Sequence, residues 1–293
     1  MTTERDDVQR LLAPSPETHA PSLGNLVGEQ WRNEPDTLGQ RHAHHRDSTI
    51  LGFIADGLTE RTGPRRMLDL GCAYGNHVFM TNARLGLDQD VQYTGVELAA
   101  ERLAYANSFA TAVPGYANCT FVSADIEQPL PFDDDTFDVV NLADVIEHLP
   151  DPEGLLRELK RVTRPGGSII VSTPQRETPF KSLAKRLDRL SRGRLYSGYY
   201  HGKETELDEQ GHPVMEVDAG HDHISEMNID ELLAAGERAG LNVGDVELMN
   251  IMSGSTWFDR HPVVLGCVLV AESVHRRLQV RSWAHAVVAR FVA

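Results

Sequence analysis

An α/β fold with a largely parallel sheet, covered by helices on both faces, is predicted by three features of the sequence. Short apolar runs alternate with helix-length amphipathic segments between residues 66 and 173. The first run, Met67-Leu68-Asp69-Leu70, passes straight into a glycine turn, Gly71-Cys72-Ala73-Tyr74-Gly75. The second, Gln92–Glu97, ends on an acid.

The elements follow in order. Residues 1–48 are polar, hold Pro14, Pro16, Pro21 and Pro35, and read as an N-terminal arm with little regular structure. Ile50, Leu51, Ile54 and Leu58 share one face, which predicts a helix over Ser48–Glu60, broken by Gly63-Pro64. Strand Arg66–Leu70, helix His77–Gly86, strand Gln92–Glu97 and helix Ala99–Val113 come next. Strands Cys119–Ser123 and Thr136–Leu142, helix Pro152–Val162, a turn at Arg164-Pro165-Gly166-Gly167 and strand Ser168–Thr173 complete the alternation.

Residues 174–225 break the pattern and read as a lid-like insertion, since so long a segment between regular elements is usually functional or disordered. A helix over Ile229–Ala239 is closed by Gly240. Asn242–Met252 and Val263–Ala271 read as two strands forming an antiparallel hairpin at the sheet edge, and Glu272–Ala293 reads as helical. The organisation expected is thus an arm (1–48), a main domain (49–273) and a C-terminal helical segment (274–293).

Composition narrows the function. The 41% hydrophobic and 24% charged content suits a globular chain that can bury a core. A net charge of −15 repels phosphates, which argues against a nucleic-acid partner. Cys72, Cys119 and Cys267 are scattered and odd in number, which suits a reducing compartment better than a disulfide framework. With no apolar leader near Met1 and no run near the ~18 residues of a membrane span, the expected location is the cytoplasm.

Three strand ends carry the chemistry. Glycines at 71 and 75 let backbone approach a ligand closely. Glu97 closes the second strand, where a carboxylate in a doubly wound sheet can accept from both hydroxyls of a ribose. Asp125 and Ile126 close the third, offering an acceptor for an exocyclic amine and an apolar surface for a ring; a turn-forming Asp is the alternative.

Taken together, Leu68–Gly75, Val96-Glu97, Ala124-Asp125-Ile126, Pro131–Asp138, Val145-Ile146-Glu147-His148-Leu149 and Leu159–Ile170 resemble the class I S-adenosylmethionine-dependent methyltransferases, in the ubiquinone-biosynthesis-like subgroup. The resemblance covers about residues 65–175. It implies a Rossmann-like, seven-stranded, mostly parallel sheet with an antiparallel edge hairpin, and S-adenosylmethionine as cofactor. It further implies that Asp69, Gly71, Ala73 and Gly75 shape the methionyl end, Glu97 and the adjoining Leu98 the ribose end, Asp125 and Ile126 the adenine end, and that Leu142 and Ala143 lie beneath the methionyl portion. Ala73 stands where the family often has Gly. The positions Gly71, Ala73 and Asn76 do not make the G-x-G-x-x-G of a nicotinamide-dependent oxidoreductase.

Catalytic candidates are fewer. His148 reads either as a general base or as a buttress of the site. His221 and His223, flanking Asp222 in the insertion, can supply a base; no third ligand completes a metal set, so no metal is expected. The acceptor expected is a small molecule, with O-methylation favoured by the resemblance alone. Phe180, Leu183, Leu187 and Leu190 among Lys181, Lys185, Arg186 and Arg189 form a basic amphipathic helix, and Val274, Leu278 and Trp283 beside Arg276, Arg277, Arg281 and Arg290 repeat the theme. These helices raise a peripheral membrane contact, and with it a prenyl- or acyl-lipid acceptor, against ordinary surface helices or a dimer contact. A cofactor-binding module without chemistry is the other rival, and the chain is expected as a monomer or homodimer.

Overall fold

The computed structural model describes residues 38–191, 205–207, 213–215, 224–251 and 259–293. A seven-stranded sheet runs in the order β3-β2-β1-β4-β5-β9-β8, formed by β1 (Arg65–Leu70), β2 (Val91–Val96), β3 (Cys119–Val122), β4 (Phe137–Ala143), β5 (Thr163–Pro174), β8 (Asn242–Leu248) and β9 (Ala286–Val292). A separate two-stranded ribbon pairs β6 (Thr205–Leu207) with β7 (Pro213–Met215) inside the insertion. Strands β1 to β5 pair in parallel, while β9 lies antiparallel to both β5 and β8. The strand order reverses between β1 and β4, and that switch point opens a crevice beyond the carboxyl ends of the strands.

Strand periodicity divides the core. On β1, β4 and β5, Leu68, Leu70, Val140, Leu142, Ile169 and Val171 face α4 (Pro152–Val162) and α6 (Ile229–Arg238). Met67, Val139 and Ile170 face α1 (Leu38–Thr59), α2 (Asn76–Arg84) and α3 (Ala100–Ala112). Local signals start the helices on the first face. Asp151 caps α4 by accepting from the Gly154 amide at 2.8 Å, with Pro152 in the first turn. Asn228 and Glu231 form a reciprocal capping box on α6.

Four expectations need correction. Helix α1 starts at Leu38, ten residues before Ser48, because polar residues such as His42 and Arg46 find partners in the fold. Residues 164–167 are not a free turn: β5 runs through them, and Gly166 and Gly167 exchange backbone bonds with Ala293. Val263–Ala271 is not a strand but part of α7 (Pro262–Leu278), begun by Pro262. Glu272–Ala293 is helical only to Leu278; Ala286–Val292, rich in β-branched residues, is the reversed strand, and Arg290 lies on it. The edge pair therefore exists, with a helix rather than a tight turn between its strands. Helix α5 (Pro179–Ser191) forms where the insertion was expected to hold one.

Gln175, at the end of β5, ties these later elements together. Its buried Nε2 donates to the Arg281 (2.9 Å) and Ala284 carbonyls, and its Oε1 accepts from the Ile229 amide at 3.2 Å. Gln175→Leu removes all three bonds and leaves backbone groups unsatisfied in the interior. It should destabilise the chain by about 2–4 kcal/mol, read as a lower urea midpoint with unchanged slope.

Candidate cofactor site

The turn between β1 and α2 is built on left-handed backbone. Gly71, Ala73 and Gly75 have φ of 66°, 48° and 84°. A Cβ on Gly71 would lie 2.5 Å from Val145 Cγ2, and one on Gly75 2.7 Å from the Phe121 ring, so these two positions exclude side chains by space as well as by φ. Ala73 accepts the left-handed conformation at a cost of roughly 1–2 kcal/mol. The Cys72 amide donates to the Val96 carbonyl (2.9 Å) and the Gly75 amide to the Cys72 carbonyl (2.8 Å).

Glu97 braces this turn from the end of β2. Its Oε2 accepts from the Ala73 amide at 3.0 Å, and its Oε1 from the Leu98 and Ala99 amides at 2.8 and 2.9 Å. Arg102 lies 3.9 Å from the carboxylate, which is 11% exposed. The Leu98 side chain is exposed. Asp125 is exposed and spends Oδ1 on the Glu127 amide at 2.9 Å, a turn-forming bond. Ile126 is half-buried against the core. Leu142 is buried in the α4-side core, so only its backbone borders the crevice, while Ala143 packs on the opposite cluster.

A second set of polar residues converges on Asp69 beneath the same crevice, and apart from Asp69 the sequence did not single them out. Asp69 and Asn141 are register partners on β1 and β4, and Asn141 Nδ2 donates to Asp69 Oδ1 at 2.7 Å. Asn141 Nδ2 also lies 3.4 Å from His77 Nδ1, and His77 Nε2 lies 3.7 Å from Asp47 Oδ1 on α1. Arg46, one residue earlier, bonds both Asp47 (2.8 Å) and Asp144, and Asp144 also accepts from Ser172 Oγ at 2.6 Å. Burial raises the Asp69 carboxyl, an effect that His77 and the Asn141 bond only partly offset. Burial alone would lower His77, but the Asp47 bond and the charges of Asp69 and Asp47 raise it overall. The signal available in the sequence was the polarity of Asn141 among the apolar residues Val139, Val140 and Leu142 of β4.

Glu147 lies in the 3-10 turn Ile146–His148 after β4, with its side chain buried and Oε2 accepting from Thr173 Oγ1 at 3.1 Å. Burial first, then Asp144, pushes its carboxyl up to about 8. His148 is half-buried in the same turn. His221 and His223 lie outside the described residues. Ser225 returns the chain from the insertion to this turn, donating from N to the Glu147 carbonyl (2.9 Å) and from Oγ to the Leu149 carbonyl (2.6 Å).

Residues 63–218, more than half of the chain, match the family described as Methyltransferase domain. The chain belongs to that methyltransferase family. Its relatives include 27-O-demethylrifamycin SV methyltransferase of Amycolatopsis mediterranei, 31% identical over 50% of this chain and 49% of that protein. Ubiquinone biosynthesis O-methyltransferase of Cronobacter sakazakii is 30% identical over 51% and 58%, and norajmaline N-methyltransferase of Rauvolfia serpentina 33% over 37% and 35%. The chain thus spans about half the length, or less, of the curated relatives it matches. In fold the chain is similar to the [4+2]-cyclase SpnF, with TM-score 0.54 and 17% identity over 89% of this chain and 84% of that one. A geranyl diphosphate methyltransferase solved with geranyl diphosphate and sinefungin gives 0.52 and 15% over 85% and 79%. These likenesses confirm a class I, Rossmann-like methyltransferase fold.

The cofactor of this class, S-adenosylmethionine, brings an ammonium, a sulfonium and hydroxyl donors, and the crevice is built of acceptors. Among the described residues, Asp69 Oδ2, Asn76 Oδ1 and Asn141 Oδ1 are buried acceptors without a donor, clustered at the ends of β1 and β4 and the start of α2. That chemistry fits a cationic, donor-rich ligand. Two cavities, of about 500 Å³ (Pro152, Arg176, Ile224–Met227) and about 280 Å³ (Ile126–Pro129 with Leu149, Asp151, Leu155 and Glu158), flank the loop after β3 and the returning insertion rather than the glycine turn.

Glu147 generates a pH test. Between about 4.3, the ordinary glutamate value, and 8 the folded chain keeps a proton that the unfolded chain releases. Its contribution to stability is therefore complete below that window and fades as pH rises through 8. Glu147→Gln cannot titrate. Thermal unfolding of the variant should fall less between pH 5.5 and 8.5 than that of the parent, and its gain at pH 8.5 should be of the order of a few kcal/mol or less. Parallel pH profiles would place the Glu147 carboxyl in the ordinary range.

Proposed function

We propose that this chain transfers the methyl group of S-adenosylmethionine to a small-molecule acceptor, a specialised metabolite, on oxygen. The observation that carries the reading is the Glu97 carboxylate tied to the left-handed glycine turn beside a set of unsatisfied buried acceptors. Of the three relatives above, one is named an O-methyltransferase, one a methyltransferase of a 27-O-demethyl compound and one an N-methyltransferase, which supports oxygen over nitrogen. Free, scattered cysteines, two of them buried, support a cytoplasmic setting. Among the described residues, no helix is long and apolar enough to cross a membrane.

The cofactor supplies an electrophilic methyl on a sulfonium. In this reading Asp69, Gly71, Ala73 and Gly75 hold the methionyl end over the backbone of Leu142 and Ala143. Glu97 keeps one lone pair, on Oε2, for a ribose hydroxyl after bonding its three amides, and Asp125 Oδ2 and Ile126 serve the adenine. The transfer requires the acceptor to be held in line with the sulfonium and shielded from water. His148 receives the acceptor's proton, with His221 and His223 of the insertion as the alternatives.

Two measurements test this. Isothermal titration should detect micromolar binding of S-adenosylmethionine or S-adenosylhomocysteine; absence of both, in folded protein, sinks the proposal. Glu97→Ala should weaken that binding by about 1.5–3 kcal/mol, since it removes a charged acceptor and also the brace on the Ala73 amide. Once an acceptor is found, His148→Ala should lower turnover by about 10²-fold or more at unchanged cofactor affinity. A loss of only a few-fold would return His148 to a packing role and leave proton transfer to the insertion.

A further inference from the structure

Helix α7 is amphipathic in the wrong sense for a helix folded in water. The charged Glu272 and the imidazole of His275 point inward and are 3% and 0% exposed. Glu272 Oε1 lies 2.6 Å from His42 Nε2 on α1, and His275 Nε2 lies 3.1 Å from the Met249 carbonyl. The outer face is instead apolar. Val263, Val270, Val274 and Leu278 are 81%, 65%, 42% and 62% exposed. At about 100° per residue their spacing keeps all four within an arc of roughly 80°, a single stripe along the whole helix. Nothing in the described fold covers it, and a surface helix under no other constraint reverses this pattern.

The size and charge of the stripe select what covers it. Seventeen residues make a helix about 26 Å long, and a face about 10 Å wide presents roughly 260 Å². That is far below the ~800 Å² per partner of a standard protein interface, so a second copy of the chain is a poor occupant. A bilayer needs no matching surface and accepts a narrow apolar stripe. In a chain of net charge −15, the C-terminal end of the stripe is flanked by exposed Arg277, which forms no ion pair among the described residues, while Arg276 lies on the far side of the helix, toward His45 of α1. The next helix to share this edge repeats the chemistry. Phe180 at the start of α5 packs on Trp283 with ring centroids 5.7 Å apart, and α5 exposes Leu183 and Leu190 beside Arg186 and Arg189.

We propose that the outer face of α7 docks this protein peripherally on an anionic lipid bilayer, with Val263, Val270, Val274 and Leu278 entering the interface and Arg277 meeting the headgroups. The stripe carries its own probe. Cys267 lies on it and is exposed, whereas Cys72 and Cys119 are buried, so a thiol-reactive environment-sensitive fluorophore can be placed there selectively. The full chain, so labelled, is mixed with phosphatidylcholine vesicles with and without phosphatidylglycerol at low salt. Unlabelled protein is sedimented with the same vesicles.

The expected result is a blue shift and co-sedimentation with the anionic vesicles only, weakened several-fold at a Debye length of about 3 Å in 1 M salt. Val270→Asp/Val274→Asp, at exposed positions, should keep the circular dichroism and melting temperature while weakening vesicle binding by about tenfold or more. No shift and no sedimentation would overturn the proposal. So would light scattering that shows a dimer which the same double substitution dissolves, because the stripe would then be a contact between copies.

Discussion

A carboxylate buried between the two central strands constrains everything around it. Asp69 and Asn141 are opposite each other in the β1–β4 register and point to the same face, so neither can reach water. Burying a charged oxygen is tolerable only with donors or cations close by. Asn141 supplies one donor, His77 an imidazole whose proton affinity Asp47 and Asp69 raise, and Asp47 and Arg46 extend the chain of partners into α1 and on to Asp144 at the end of β4. The oxygen left over on Asp69 meets no donor among the described residues, and that is the oxygen a cationic ligand would satisfy. The same requirement explains why α1 cannot drift from the sheet. Its apolar half, Ile50, Ile54 and Leu58, packs on the core, while its polar half closes the network over the crevice.

Glu97 performs a comparable task one strand away. A carboxylate that accepts from three backbone amides is fixed in direction, and one of those amides belongs to the glycine turn. The two acids therefore shape the crevice from both sides before any ligand enters, which is preorganisation in its ordinary sense. Polar residues buried at the back of α7, by contrast, hold that helix to α1 and leave its apolar side outward.

Much of this was legible from local patterns. The alternation of strands and helices, the left-handed glycine turn, the acid at the end of the second strand and the capped helix at Pro152 depend on periodicity and short-range bonds. Errors fell where a nine-residue apolar run fitted strand and buried helix equally, as in Val263–Ala271, and where glycines suggested a turn that long-range pairing with Ala293 made into strand. Helix α1 was read ten residues short because His42 and Arg46 look like arm residues until Glu272 and Asp144 are brought to them.

By itself, then, the sequence determined the fold class, the place of the crevice and the acids that border it, because strand order and turn chemistry are written in neighbouring residues. Only the tertiary structure decided which polar side chains meet beneath that crevice. Asp47, His77 and the Asn141, Asp144 and Glu147 group come from three separate segments, α1, α2 and the end of β4, and the protonation of Asp47, His77 and Glu147 depends on burial and on neighbouring charge, neither of which any local pattern contains. It also decided that α7 turns its valines outward, since the helix's orientation is set by the partners of Glu272 and His275, more than two hundred residues away for the first and in another strand's loop for the second.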